Sequence, residues 1–293
     1  MKINRIGVLG CGIMGLGIAQ VCAEAGYETW MRDIKQEFLD KGFDQIKALL
    51  QRAVGKSKIT AERMNEVLEN LHGTLELRDL ADCDFIFEAA PENMNLKTEI
   101  LKELDSLCAA HTIFASNTSS LSITEMAAST SRPDRVVGMH FFNPVQVMKL
   151  VEVARSLFSS SEAVEAAVEI GKAIGKDPIV TKDNTGFVVN LLLAPYFCGA
   201  IKALEDGIAG VEEIDKGMKL GCGYPMGPFT LLDLAGLDTM YNSLSVFYES
   251  YADTRFFPPP LLKKMVKSGL LGKKTGKGFY DYSCDPPKVN IHI

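Results

Sequence analysis

The sequence predicts an α/β protein in which a doubly wound, mainly parallel sheet is followed by a second, all-helical domain. Short apolar segments typical of strands alternate with helical segments over the first 183 residues. This alternation favours a parallel sheet that helices cover on both faces. From Phe187 onward the sequence indicates helix after helix, interrupted by glycine and proline clusters such as residues 221–228. We therefore place two domains at residues 1–183 and 184–293, a division that 293 residues accommodate.

The N-terminal segment predicts a strand, a helix and a second strand. Residues 5–9 form a short apolar strand, and residues 13–25 have helical character, with Gly26 as the stop signal. Residues 27–32 form the second strand, which ends at Asp33. These elements make a strand-helix-strand unit of about 30 residues.

The remaining elements of the first domain follow from the same patterns. A helical hairpin inserted after the second strand is predicted at about residues 38–71, with a break near residues 55–58. Further strands are predicted at residues 84–87, 112–115, 136–139, 149–153 and 179–181, and further helices at residues 95–107, 123–128 and 161–174.

The second domain is predicted to pair with a second copy of the chain. Residues 191–196 are markedly apolar for so small a helical domain, which predicts a homodimer through its surface. Pro195 lies in the first long helix of this domain and is expected to kink or interrupt it.

Composition and charge exclude several classes of protein. A net charge of −6 without a basic patch argues against a nucleic-acid partner. Seven cysteines, an odd number without a Cys-x-x-Cys pair, indicate reduced thiols in a cytoplasmic protein and no metal site. Residues 6–23 carry no charge, but their glycine spacing has another explanation, so we interpret them neither as a secretion signal nor as a membrane segment.

A dinucleotide-binding fingerprint lies between the first strand and helix. Residues 10–15 read Gly10-Cys11-Gly12-Ile13-Met14-Gly15, and Asp33 closes the next strand. In this Rossmann-like context Gly10 permits the tight turn, Gly12 admits the pyrophosphate, and Gly15 lets the helix pack on the strand. The amides of Ile13, Met14 and their neighbours at the helix N-terminus favour phosphate.

Asp33 predicts NAD as the cofactor. Its carboxylate would accept hydrogen bonds from the adenosine ribose hydroxyls, which favours NAD over NADP. Arg32 precedes it and could tolerate a 2′-phosphate, so NADP stays open.

His140 and Glu152 are a candidate acid–base pair. His140 ends a short apolar run, and Glu152 lies within a second one. If the runs fold back as antiparallel neighbours around Gln146, these residues face each other with Cβ atoms about 4.5–5.5 Å apart. An imidazole so placed is a general base held in one tautomer. The alternative is that His140 caps a strand end and Glu152 faces water.

A serine-rich segment at residues 115–121 follows a strand and precedes a helix. Such a segment usually only caps the helix. Its position at the carboxyl end of a sheet strand also permits ligand binding.

Together these motifs identify a resemblance that runs along the whole chain. The sequence resembles the short-chain L-3-hydroxyacyl-CoA dehydrogenases, and it looks most like the bacterial 3-hydroxybutyryl-CoA dehydrogenases. The matching segments, in order, are residues 10–15, 88–92, 115–122, 139–144, 149–153, 186–190, 226–228 and 272–280.

The resemblance implies a set of catalytic roles. His140 would take the proton of the substrate 3-hydroxyl as hydride leaves C3 for the nicotinamide, and Glu152 would orient the imidazole and stabilise its charged form. Ser119 would hydrogen-bond the reacting oxygen. Asn190, at the start of the helical domain, would also face that oxygen and close the site between the domains.

The resemblance also implies the groups that hold the cofactor. Asn143 would hold the nicotinamide end of NAD, and Glu92, Lys97 and Lys274 match cofactor-contacting positions. Trp30 departs from the small aliphatic residues usual before the acid. It is interpreted either as packing or as a neighbour of the adenosine pocket.

An acyl-CoA is the substrate that the resemblance implies, with fatty acid and butyrate metabolism as its setting. Arg52 and Lys56 lie in the hairpin that grips CoA in this family, although such cations are as often solvated surface charges. The alternatives are a dehydrogenase of a non-CoA hydroxy acid and a crystallin-like NAD-binding structural protein.

Overall fold

The computed structural model describes residues 2–291 and divides the chain into two compact units, Met1–Phe187 and Val188–Ile293. The sequence places its boundary a few residues earlier, near residue 184, in the segment that precedes the first helix of the second unit. Across residues 2–291 no helix combines the length and apolar character that crossing a membrane requires.

The first unit is organised around one sheet, for which the described residues supply eight strands. They are β1 (Arg5–Leu9), β2 (Glu28–Arg32), β3 (Leu71–Thr74), β4 (Phe85–Glu88), β5 (Ile113–Ser116), β6 (Val136–Phe141), β7 (Leu150–Arg155) and β8 (Asp177–Lys182). The strand order is β3-β2-β1-β4-β5-β6-β7-β8, and neighbours are parallel except for β6 and β7. The predicted doubly wound, mainly parallel sheet is confirmed.

The helices of the first unit cover this sheet. They are α1 (Ile13–Glu24), α2 (Gln36–Gly55), α3 (Ala61–Glu69), α4 (Met94–Leu107), α5 (Ile123–Ala128) and α6 (Ser161–Ala173). A side-chain oxygen caps the first turn of four of them, from Thr60, Asn93, Ser122 and Ser160. Each such cap contributes about 1 kcal/mol. Helix α1 instead begins after Gly12 without a side-chain cap, which leaves its first amides available to a ligand.

The centre of the sheet is buried on both faces, and β4, whose four residues are all buried, therefore has an uninterrupted apolar run before its terminal Glu88. Phe85 and Phe87 point into a hydrophobic cluster with residues of α1, α2 and α6. Ile86, between them, points to the opposite face and joins a cluster with α4 and α5. A strand buried on both faces has no polar alternation to display.

The inserted hairpin consists of α2 and α3 and is followed by a strand that the sequence pattern did not predict. β3 comprises Leu71, His72, Gly73 and Thr74, and it pairs in parallel with β2 at the sheet edge. Gly73 is required there, since a Cβ would lie 2.8 Å from the ring of Phe43. His72 and Gly73 have little intrinsic strand preference, so pairing with β2 determines this element.

The second unit contains a helical array over its described residues. Its helices are α7 (Val189–Glu205), α8 (Val211–Cys222), α9 (Pro228–Ala235), α10 (Leu237–Tyr251) and α11 (Pro260–Lys267). α7 runs continuously through Pro195, which does not interrupt it. The second unit also contains an antiparallel pair of strands, β9 (Tyr280–Asp281) and β10 (Lys288–Val289). Each strand has two residues, too few to show an alternating pattern in the sequence.

Two buried carboxylates organise the second unit. Asp215 accepts hydrogen bonds from the backbone N–H groups of Phe229 and Thr230 at the start of α9, at 2.8 and 3.0 Å. Asp233, at the end of α9, accepts from those of Phe279 and Tyr280, both at 2.9 Å. Hydrogen bonds to a charged acceptor contribute about 1.5–3 kcal/mol each. The glycine-rich segment 272–280 therefore has a structural role around Asp233.

Candidate active site

The glycine fingerprint forms a close turn between β1 and α1. Gly10 has φ +90°, and a Cβ there would lie 2.6 Å from the carbonyl oxygen of Ala89. A Cβ on Gly15 would lie 1.7 Å from the carbonyl oxygen of Gly10, so the helix can approach the strand only with glycine. A Cβ on Gly12 would meet nothing within 4 Å, which leaves open space beside the helix N-terminus. This arrangement fits a dinucleotide pyrophosphate.

Asp33 is held rigidly at the end of β2. Its Oδ2 accepts a hydrogen bond from the backbone N–H of Cys11 at 2.7 Å, and its Oδ1 accepts from that of Ile34 at 2.7 Å. Burial, together with the negative charge of Asp33, raises the pKa of the Cys11 thiol to about 12, so the thiol stays neutral. The carboxylate oxygens keep further lone pairs for ribose hydroxyls.

A cavity of about 860 Å³ adjoins the fingerprint at the carboxyl ends of β1, β2 and β4. Gly10, Gly12, Ile13 and Asp33 line it on one side, and Leu96 and Ile100 of α4 are among the residues on the other. Its volume lies in the range of cofactor sites, and its position is where open α/β sheets bind ligands. The residues present therefore fit NAD.

Met14 and Trp30 do not line this cavity. Met14 packs on the hydrophobic cluster beneath α1. The Trp30 ring stacks under the Arg5 guanidinium at 4.4 Å and lies 5.0 Å from the His72 ring. The packing interpretation of Trp30 is thus the one that the structure supports. Arg32 does line the cavity, and its Nε donates to the carbonyl oxygen of Leu75 at 3.2 Å.

His140 and Glu152 form a buried pair between β6 and β7. The two strands are antiparallel, and His140 lies directly opposite Glu152, which confirms the register predicted around Gln146. His140 Nδ1 is 2.7 Å from Glu152 Oε2, and Glu152 is fully buried. A carboxylate accepts from Nδ1–H, so Nε2 is left as the free proton acceptor. The alternative, in which Glu152 faces water, is wrong.

Aromatic rings enclose the imidazole of His140. The ring centroid of Phe142 lies 4.6 Å from that of His140, and the centroid of Phe187 lies 5.7 Å away. His140 is itself only 7% exposed. Exclusion of water strengthens the interaction of the imidazole with Glu152.

Ser119 lies in a turn that Glu92 organises. Glu92 Oε1 accepts hydrogen bonds from Thr118 Oγ at 2.5 Å, from the Ser119 backbone N–H at 3.2 Å and from Ser120 Oγ at 3.1 Å. The residues 118–120 are thereby fixed at the carboxyl end of β5. The cap of α5 comes from Ser122, the residue that follows the serine-rich segment 115–121.

Lys97 is enclosed in a network and lies away from the lining of the cavity. Its ammonium is 2.8 and 2.9 Å from the two carboxylate oxygens of Glu88 and 3.0 Å from the carbonyl oxygen of Ala90. Glu88 also accepts a hydrogen bond from Ser116 Oγ at 2.6 Å. Glu88 begins the matching segment 88–92, but the sequence pattern alone assigns it no role. The available signal was an acid that ends an otherwise apolar strand.

A second buried lysine supports the connection between β6 and β7, which carries Asn143. Lys176 Nζ donates to the carbonyl oxygens of Val145 and, at 3.0 Å, of Met148. Burial, together with the positive charge of Lys149, lowers the pKa of this ammonium, and the charge of Glu24 opposes the shift. Asn143 is exposed at the start of this connection. The local sequence around Lys176 does not predict this role, because its two acceptors lie about 30 residues away in the chain.

The other predicted site residues lie elsewhere. Asn190 is half-buried in the first turn of α7, and Lys274 pairs with Asp238 at 2.6 Å, both in the second unit. Arg52 and Lys56 are exposed at the end of α2. Within residues 2–291 no group of His, Cys, Asp or Glu side chains could hold a metal ion. The roles assigned to these four residues stay predictions.

Comparisons with known proteins agree over residues 5–282. The family model of the 3-hydroxyacyl-CoA dehydrogenase NAD binding domain matches residues 5–184, and that of the C-terminal domain matches residues 186–282. A probable 3-hydroxybutyryl-CoA dehydrogenase of Bacillus subtilis is 45% identical over 282 residues, which are 96% of this chain and 98% of that protein. A 3-hydroxybutyryl-CoA dehydrogenase of Clostridioides difficile is 44% identical over 95% of this chain and 99% of its own length.

Solved structures give the same result. The crystal structure of (S)-3-hydroxybutyryl-CoA dehydrogenase from Ralstonia eutropha has a TM-score of 0.94 and 45% identity, and the match covers 97% of this chain and 100% of that one. A diketoreductase, described as acting on dicarbonyl compounds, has a TM-score of 0.84 and 32% identity over 96% of this chain and 100% of its own.

Proposed function

The chain belongs to the 3-hydroxyacyl-CoA dehydrogenase family, and we propose that it interconverts (S)-3-hydroxybutyryl-CoA and acetoacetyl-CoA. It is an NAD-dependent oxidoreductase, since the NAD binding domain of the family spans residues 5–184. The short acyl chain follows from relatives that are named 3-hydroxybutyryl-CoA dehydrogenase at 44–45% identity. The observation that carries the proposal is the buried His140–Glu152 pair at 2.7 Å.

His140 is the general base of the oxidation and the general acid of the reduction. Because Nδ1–H is held by Glu152, Nε2 takes the proton of the 3-hydroxyl group. The carboxylate then faces an imidazolium and stabilises it across 2.7 Å. In the reverse direction the same Nε2–H returns the proton to the 3-keto oxygen.

Ser119 and Asn190 are proposed to hydrogen-bond the reacting oxygen. Asn143, Glu92 and Lys274 are proposed to hold the cofactor, with Asp33 on the adenosine ribose. Bound NAD(H) supplies the two-electron acceptor and donor for C3. The protein contributes a base, fixed dipoles and alignment.

Arg52 and Lys56 are proposed to bind phosphate groups of CoA. Both are exposed cations near the end of α2, where a flexible polyanion can approach. The double variant Arg52→Ala/Lys56→Ala should raise the KM for acetoacetyl-CoA, most strongly at low ionic strength, and leave the NADH Kd unchanged. Lys47→Ala, an exposed lysine earlier on α2, is the matched control. Equal KM values for the double variant and the control would remove this role.

The test of the substrate class compares three oxidants of NADH. Acetoacetyl-CoA should support rapid NADH oxidation, whereas acetoacetate and a keto sugar acid should not. Rapid turnover of a non-CoA substrate would favour a dehydrogenase of a hydroxy acid, for which the 32% identical diketoreductase gives the precedent of a dicarbonyl substrate. NADH binding without any turnover would favour the crystallin-like alternative.

The proposal includes a homodimer and a cytoplasmic location, with fatty acid and butyrate metabolism as the setting. Leu192, Ile208 and Leu220 of the second unit are 67%, 75% and 75% exposed, and a second copy of the chain would bury such apolar side chains. The cysteines are free and four are buried, as in a reducing compartment. Sedimentation at micromolar concentration should give twice the mass of the chain, and a monomer would contradict the dimer.

A further inference from the structure

The segment that follows the family's C-terminal domain folds back onto the glycine-rich segment of that domain. The family model ends at residue 282, and residues 283–291, here called the tail segment, include β10. We propose that the tail segment, chiefly through Asn290, positions the loop 272–277, which carries Lys274. The inference rests on the proposed role of Lys274 in holding the cofactor, and it adds residues that act on Lys274 through the protein.

Hydrogen bonds join the tail segment to β9 and to the residues that precede it. β10 pairs with β9 in antiparallel fashion. Asn290 extends this pairing, since its backbone N–H donates to the carbonyl oxygen of Phe279 at 2.8 Å and its Nδ2 donates to that of Gly278 at 2.9 Å. A two-stranded pair is only marginally stable by itself. The two bonds of Asn290 therefore matter for holding residues 278–281 in place.

Apolar side chains anchor the tail segment on the second unit. Val289 and Ile291, on either side of Asn290, pack against the hydrophobic cluster that includes Phe229 and Leu232 of α9. Removal of apolar surface from water fixes this part of the chain independently of its hydrogen bonds. The side chain of Asn290 is thus presented to Gly278 from a supported backbone.

The loop that carries Lys274 is closed at its base. The Gly272 backbone N–H donates to the carbonyl oxygen of Lys277 at 2.9 Å. The backbone N–H of Tyr282, the residue after β9, donates to the carbonyl oxygen of Gly276, also at 2.9 Å. The loop is therefore joined directly to the strand that the tail segment holds.

Close packing at Gly278 connects Asn290 to the start of this loop. A Cβ on Gly278 would lie 1.9 Å from Asp233 Oδ1 and 2.7 Å from the Cα of Gly272. Because the backbones of Gly278 and Gly272 are in contact, a displacement of Gly278 is transmitted to the loop. The Lys274 ammonium is 48% exposed in its pair with Asp238, so its position depends largely on the loop backbone.

Deleting the tail segment uncovers part of the hydrophobic cluster and can prevent folding of the second unit. The main test therefore uses Asn290→Ala, which removes the Nδ2 donor and keeps the backbone N–H. A chain that stops after Tyr282 is the second, stronger variant. The matched control is Lys288→Ala, which changes an exposed residue of β10 in the same tail segment.

The measurements are the NADH Kd from fluorescence titration, well below the lowest Tm of the set, and the Tm itself. Lys274→Ala should raise the NADH Kd about 5-fold, the upper value for a partly exposed charge contact. Asn290→Ala should raise it about 2-fold, and the truncated chain should approach the effect of Lys274→Ala. Lys288→Ala should keep the wild-type Kd.

Combination with Lys274→Ala separates positioning from a purely structural role. If the tail segment acts through Lys274, neither Asn290→Ala nor truncation should raise the Kd further once Lys274 has been replaced. A stabilising role alone would lower the Tm of the tail variants and leave their NADH Kd at the wild-type value.

Two results would overturn the inference while leaving the role of Lys274 intact. One is a wild-type NADH Kd for both tail variants when Lys274→Ala raises it. The other is an effect of the tail variants that multiplies with that of Lys274→Ala, because the tail segment would then act elsewhere. A wild-type Kd for Lys274→Ala contradicts the cofactor role of Lys274 and the inference with it. A wild-type chain that binds NADH but does not oxidise it with acetoacetyl-CoA contradicts the proposed reaction instead.

Discussion

Replacing Glu152 with glutamine tests whether its carboxylate stabilises His140 during proton transfer. The carboxylate is fully buried, and its Oε2 lies 2.7 Å from His140 Nδ1. Glutamine keeps nearly the same volume and removes the charge. The neutral imidazole loses little electrostatic stabilisation in this variant, whereas the imidazolium that forms during oxidation loses its counterion.

The expected loss can be worked from this geometry. A hydrogen bond to a charged partner contributes about 1.5–3 kcal/mol, which corresponds to a fall in kcat of about 10- to 150-fold. Two unit charges about 4 Å apart at an effective dielectric constant of about 20 interact by about 4 kcal/mol, which limits the loss at about 1,000-fold. A glutamine amide that donates to Nδ1 would force the proton onto Nε2 and bring the loss closer to that limit.

The assay follows NADH absorbance with acetoacetyl-CoA and the reverse reaction with 3-hydroxybutyryl-CoA. NADH affinity and Tm are measured on the same samples. Glu162→Gln is the control, since Glu162 pairs with Arg135 at 3.1 Å but is 58% exposed. Wild-type turnover of Glu152→Gln, or a loss equal to that of Glu162→Gln, would refute the reasoning.

Two further predictions concern the cofactor and stability. Asp33→Ala should weaken NADH binding about 10- to 150-fold by removing a charged acceptor, with turnover retained at saturating NADH; unchanged affinity would argue against the ribose role. Asp105→Asn should lower the free energy of unfolding by about 2–3 kcal/mol near neutral pH, because Asp105 pairs with Arg132 at 2.6 Å. Burial raises the pKa of Asp105, but hydrogen bonds from the Ser131 backbone N–H and from Arg132 outweigh it and hold the pKa below 3.8. The stabilisation by the Asp105 carboxylate is therefore complete above pH 3.8 and is lost as the pH falls through the lower pKa of the folded state. Urea unfolding should give different free energies of unfolding for wild type and variant near neutral pH, and similar ones in acid.

The parts of the fold that the sequence predicts are those with strong local signals. Gly10, Gly12 and Asp33 carry their own structural requirements, so the first strand-helix-strand unit is readable directly. The register of His140 against Glu152 can be predicted from the sequence because two strand-like runs flank one short connection. A shift of one residue would turn every side chain to the other face.

The parts that the sequence does not reveal depend on contacts between distant segments. β3 has four residues, of which His72 and Gly73 give no strand signal, and its pairing with β2 defines it. Glu88 and Lys97 are nine residues apart, yet their burial follows from the sheet and from α4 together. The charge of Lys97, which the sequence alone would place at the surface, is therefore buried, and its partners are determined by the tertiary structure.

The most direct test of the proposed reaction is acetoacetyl-CoA-dependent oxidation of NADH by the wild type and by His140→Ala. The wild type should oxidise NADH, and His140→Ala should be slower by roughly 10²–10⁴-fold because the positioned base is gone. Its NADH Kd should be nearly unchanged, since the imidazole lies on β6, whereas the fingerprint lies between β1 and α1 and Asp33 follows β2. A variant with near-normal turnover would contradict His140 as the base, and a wild type without acetoacetyl-CoA-dependent oxidation would contradict the reaction itself.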